Sequence, residues 1–253
     1  TIGRNASVTA GAGDLAVTGT FASTGATQAS AASITGGTFN AGSSLTLSSP
    51  GAIKLNAATS GTTLALSGTT IDAPTLNAGS DLTLTSTGAT TLGTATAGGL
   101  LAITADSLTD TALTSGGNTT LKIAKAATLG TVKAGSNLAI TAGPLSFAAL
   151  SSGTGTTTIT SGAATGGTIA AKTSLSLIST GAVKLDSATS GTTLALSGTT
   201  IAVPTLNAGT DLTLTSTGAT TLGTAMAGGT TTVTASQLTF TSLTTGGNAS
   251  LSG

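Results

Sequence analysis

GSDLTLTSTGATTLGTATA, residues 79–97, alternates apolar and polar side chains over Leu82-Thr83-Leu84-Thr85. A period of two marks a strand with one buried face, so Leu82 and Leu84 are read as pointing inward and Thr83 and Thr85 outward. β-Branched threonine suits the pleated outer surface. Ser86-Thr87-Gly88 reads as a turn, with Gly88 free to take a positive φ. Residues 89–95 read as a second extended segment with Leu92 inward, and residues 96–98 as the turn into the next unit. A helix is excluded, because the apolar residues miss the 3.6-residue period and Gly or Thr interrupts every window.

This stretch is one copy of a repeat. An equivalent triplet follows a Gly-rich turn at Leu45, Leu64, Leu82, Leu101, Thr119, Leu138, Thr157, Leu175, Leu194, Leu212, Thr231 and Ala249, each eighteen or nineteen positions after the last. Seven such steps make a longer period: residues 58–99 recur at 188–229, and the two stretches agree at 38 of 42 positions. A unit this short cannot bury its own apolar face and must stack on copies of itself. Parallel crossovers are right-handed in about 98% of cases. The expected fold is therefore all-β, a right-handed parallel β-helix (β-solenoid) with 18–19-residue coils. We expect one continuous solenoid over 1–253, about fourteen coils counting partial ones, with 24–123 matching 154–253. The expected core ladder is Leu64 and Leu66, Leu82 and Leu84, Leu101 and Ile103, Leu138 and Ile140, Leu175 and Leu177, Leu194 and Leu196, and Leu212 and Leu214. Leu55, Leu129 and Leu145 fill second-segment positions. A longer loop is expected over residues 11–20. The chain opens and closes inside a repeat, so it is expected to be an excerpt of a longer protein or a unit that continues into a neighbour.

Composition narrows the function. Thr makes up about a quarter of the 253 residues, only 6% are charged, and the net charge is zero. Nothing therefore draws the chain to nucleic acid or anionic lipid. Glu, His, Cys, Trp and Tyr are absent, which removes Ser-His-Asp and Cys-His catalysis and disulfides. A helical membrane span needs about 20 consecutive apolar residues; no run approaches that, so none is expected. Polysaccharide-cleaving β-helices need acid/base carboxylates. Asp106 and Asp110 come closest to a pair here, but the sister repeat holds Ser236 and Phe240 in their places. We expect no enzyme, no catalytic residue, no cofactor, no metal site and no small-molecule substrate. The calcium-binding pattern G-G-x-G-x-D does not occur. Asp81 and Asp211 sit in the turn before a strand, where they are expected to bond local backbone N–H groups, and Asn118, Asn137 and Asn248 take the same slot. Asn5, Asn118 and Asn248 match the N-glycosylation sequon, as a Thr-rich chain does by chance.

Coils with Gly-x-x-Leu-x-Leu followed by Gly-Ala-x-x-Leu, as in GSDLTLTSTGATTL at residues 79–92 and GTDLTLTSTGATTL at 209–222, resemble the repeats of the filamentous haemagglutinin family. That family comprises very large adhesins exported by two-partner secretion. The resemblance covers essentially the whole chain. It implies an extracellular or cell-surface β-helical stalk of a Gram-negative bacterium, passed through an outer-membrane secretion partner, with a host or neighbouring-cell surface as a partner of the whole adhesin.

The leading functional expectation is thus a non-catalytic extracellular structural rod, the repeat stalk of a filamentous adhesin, whose partners are other copies of the same repeat. The alternative is a self-assembling extracellular fibre protein whose open ends stack end to end. An ice-binding β-solenoid ranks below both, because the outward Thr ladder breaks at Ala65/Ser67, Lys122/Ala124, Ala139/Thr141 and Ser176/Ile178.

Overall fold

The computed structural model describes residues 3–253. It is all-β, with no helix, and its parallel strands stack about 19 residues apart into a β-solenoid of about 13 turns. The chain divides into two compact units, one ending at Ala124 and one beginning at Lys125.

In the first unit each coil has three sides. The first side carries the alternating strands Leu45–Ser48, Leu64–Gly68, Leu82–Ser86 and Leu101–Ala105. They pair in parallel and in register, Leu45 with Leu64, Leu64 with Leu82 and Leu82 with Leu101. The strand Ala89–Ala97 serves two sides: its first half pairs with Ser107–Thr109 and its second half with Ala112–Ser115. The expected single second segment is therefore a bent strand with a corner at Gly93. A Cβ on Gly93 would collide with the carbonyl oxygen of Pro74 on the preceding coil.

The second unit repeats this plan. Its first side runs through Leu138, Thr157, Leu175, Leu194, Leu212, Thr231 and Ala249, each paired with the next. Two strands, Leu138–Ser152 and Thr157–Ala171, continue around all three sides. The long loop lies in the first unit's first coil, where the step from Ala6 to its partner Thr27 is longer than the step from Thr27 to Leu45.

Inward residues stack in register into columns on each side, two on the first side through Leu82 and Leu84. All fourteen ladder residues expected from the sequence are at most 2% exposed, and Leu55, Leu92, Leu129 and Leu145 are buried as well. Full burial of each Leu or Ile contributes about 1.5–3 kcal/mol. The third side alternates small and large: Ala58, Leu76, Ala95 and Leu113 are successive register partners.

That alternation follows the corners. In the coils starting at Leu45 and Leu82 the second inward column begins at Ile53 and Thr90. In those starting at Thr27, Leu64 and Leu101 it begins at Ile34, Ile71 and Leu108, one position sooner. Long corners read Ser-x-Gly-Ala at Ser49, Ser86, Ser179 and Ser216. Their serine is buried and bonds corner backbone, Ser86 Oγ donating to the Gly88 carbonyl at 3.1 Å and Ser216 Oγ to Gly218 at 2.9 Å. Coils with this corner place Ala on the third side (Ala58, Ala95, Ala188, Ala225), whereas coils with a short one place Leu, Ile or Phe there. Val132, which follows the serine-free long corner at residues 124–126, is intermediate in volume. Close packing requires such complementary volumes in neighbouring layers.

The turn glycines act differently from the expectation. Positive φ occurs, among the described residues, only at Gly11, Gly36 and Gly37. Gly88 keeps a negative φ, and a Cβ there would stand 2.8 Å from the carbonyl oxygen of Thr69 on the coil before. Stacked backbone, not left-handed conformation, is what requires glycine at these corners.

Candidate functional site

Each polar group that the sequence offers for chemistry is placed by this stacking. Asp81 ends the corner before the first side, and its Oδ1 accepts a hydrogen bond from the backbone N–H of Leu100 at 2.8 Å. Asp211 holds the same slot in the second unit, accepting from the N–H and the hydroxyl of Thr230, both at 2.8 Å. Asn5 accepts from Ala26 N–H at 2.9 Å, and Asn137 from Thr156 N–H at 2.9 Å. Asp14 accepts from the Ser33 hydroxyl at 2.6 Å. Each of these partners lies on the next coil along the chain. The expected local Asx turn is corrected accordingly: the slot ties one coil to the next. The two hydrogen bonds from Thr230 hold the Asp211 carboxyl below its ordinary value, since both favour the ionised form.

The carboxylates do not assemble into a reaction centre. Asp106 and Asp110 stand at opposite ends of the strand Ser107–Thr109, at two different corners, Asp110 being buried and Asp106 half-buried. Asp72 faces Lys54 at 3.7 Å in an exposed ion pair on adjacent strands. No three His, Cys, Asp or Glu side chains among the described residues are grouped to hold a metal ion. Among the same residues, no helix is long and apolar enough to cross a membrane. The sequon residues Asn5, Asn118 and Asn248 all immediately precede first-side strands.

A groove of about 370 Å³ lies in the second unit at the corner of the second and third sides, with Leu185, Val203, Pro204 and Leu222 in its wall and Lys184 and Asp186 at its rim. In the first unit Asp72 opposes Lys54 across the register; here Ala202 opposes Lys184.

Two further features escaped the sequence reading. Buried Ser–Thr hydroxyl pairs pin corners at Ser86–Thr90 (2.7 Å), Ser115–Thr119 (2.8 Å) and Ser216–Thr220 (2.8 Å). Their signal is a Ser four positions before an inward Thr. Two hydroxyls of such corners are buried and unbonded, Ser161, whose counterpart is Ala164, and Thr231, which follows Ala227, whereas Ser60 and Ser190, with Leu in place of the Thr, donate to backbone carbonyls instead. The second feature is the register of the outward side chains. Thr85, Thr104 and Lys122 form one column and Thr83, Ala102 and Thr120 the other. The expected outward pair Lys122/Ala124 is therefore Thr120/Lys122. No family model, curated protein or solved structure matches the chain.

Proposed function

We propose that the chain is a non-catalytic structural segment of an extracellular filamentous adhesin, akin to the filamentous haemagglutinin stalks that its repeats resemble. The observation that carries this reading is how its polar residues are used. Asp81, Asp211, Asn5 and Asn137 bond the next coil, and Ser86, Ser115 and Ser216 bond corner backbone. In this reading the Asp and Asn side chains hold coil on coil and the serines close corners, a use suited to a rod. The seven-coil period, with 58–99 and 188–229 agreeing at 38 of 42 positions, supports a role in reach, since duplication lengthens an array. In this reading the partners are further copies of the same repeat, an outer-membrane secretion partner and the cell surface that the whole adhesin meets.

The test is the mass of the native protein after complete denaturation, with immunogold labelling of intact cells. A mass several times the 23.4 kDa of this chain, together with surface label, supports the stalk. A mass near 23.4 kDa with end-to-end polymers favours the fibre reading, and label confined to the cytoplasm overturns both.

A further inference from the structure

We propose that the first side of the second unit is an ice-binding face that orders a lattice of water. Fourteen outward positions line its seven strands, at 139 and 141, 158 and 160, 176 and 178, 195 and 197, 213 and 215, 232 and 234, and 250 and 252. Seven are Thr, four Ser, two Ala and one Ile. All are exposed or half-exposed. No charged, amide or aromatic side chain stands among them, although the unit's other sides carry Lys133, Lys184 and Gln237.

The chemistry of this face eliminates most partners. Nucleic acid and anionic lipid need basic groups, and a cation needs carboxylates; the face has neither. No ring is present on which a sugar could stack. Protein interfaces enrich Tyr, Trp, Met and Arg and disfavour Ser and Thr as energetic anchors, the reverse of what is found. What remains is a neutral solid that forms hydrogen bonds. Each hydroxyl offers one donor and two acceptor sites, and β-branching holds each Thr in few rotamers, so hydroxyls and methyls are fixed before contact. Register stacking repeats them about 4.8 Å along the sheet and roughly 6.6 Å across it. Thr213 opposes Thr232 and Thr215 opposes Thr234, giving an unbroken block of four threonines.

Breaks in the Thr ladder weigh against ice only where they bring a charge to the face. Lys122 lies in the first unit, and in the second the breaks are Ala139, Ala195 and Ile178, which carry no charge. This inference is independent of the adhesin reading.

Inhibition of ice recrystallisation and thermal hysteresis by the full chain test it, alongside Thr213→Lys, Thr232→Lys and, as a control on the second side, Thr221→Lys. Circular dichroism establishes that each variant keeps its β-structure. We expect the chain to inhibit recrystallisation, the two face variants to need about tenfold more protein or to lose the effect, and the control to match the parent. Three results would each overturn the proposal: an inactive parent, equal loss in the control, or a parent that dimerises through this face in a Thr232→Lys-sensitive way without touching ice.

Discussion

A Cβ added to Gly79 would collide with the carbonyl oxygen of Gly61, and one added to Gly98 with that of Gly79. The clash is with backbone, which cannot swing aside as a side chain does. Gly79→Ala should therefore lower stability by about 2 kcal/mol or more, read from the urea midpoint. Gly19→Ala, with open space and no positive φ, should stay within about 0.5 kcal/mol of the parent. Asp211 gives a pH-dependent counterpart. Its folded pKa is depressed, so its contribution is present above its unfolded value, near 3.8, and is lost as pH falls through the lower folded value. Thermal melts from pH 7 to pH 2 should show the parent losing this contribution in acid. Asp211→Asn keeps the acceptor, as Asn137 does in the same slot, and should lack that acid-dependent step. Identical pH profiles would show that the carboxylate is not what Thr230 holds.

At the scale of the strand and its corner, the coil is legible in the sequence because the rule is local. Alternation at Leu82-Thr83-Leu84-Thr85 gives the face, and the recurrence gives the stacking partner. The third side was not legible, because Thr94-Ala95-Thr96-Ala97 has too little apolar volume to stand out as a strand facing a core. Its volume becomes intelligible only beside Leu76 and Leu113 in the neighbouring coils. The inter-coil role of Asp81 was hidden for a similar reason: it accepts from the Leu100 N–H a full coil away, a distance that local turn rules do not consider. Corner length predicts where volume is tolerated. Ala95→Leu adds three carbons to a coil whose long corner already buries Ser86, and overpacking of this kind costs about 1–3 kcal/mol. A melting temperature equal to the parent's would show that the corner and the third side are not matched in volume.

Across the whole molecule, seven basic and seven acidic side chains leave little for salt to screen. The Lys54–Asp72 pair is exposed on both partners, and such pairs are worth about 0–1 kcal/mol. Raising NaCl from about 10 mM to about 0.5 M should then shift the melting temperature by no more than about 4 °C; a larger fall would reveal electrostatic support that the placement of these charges does not. The alternation of corner lengths also leaves a record of how the chain was assembled. Long and short corners alternate strictly in the first unit, yet the coils starting at Leu138 and Thr157 are both short. Between them the third corner is stretched: the run from Leu150 to Thr157 is one position longer than those from Ile169 to Leu175 and from Ala188 to Leu194. A block of seven coils has odd parity, so a copy set end to end with its original arrives out of phase. The first short corner lies between 24–123 and 154–253 and the second in the opening coil of 154–253, so the doubling falls where the copies join. A block with an even number of coils would join without any such seam.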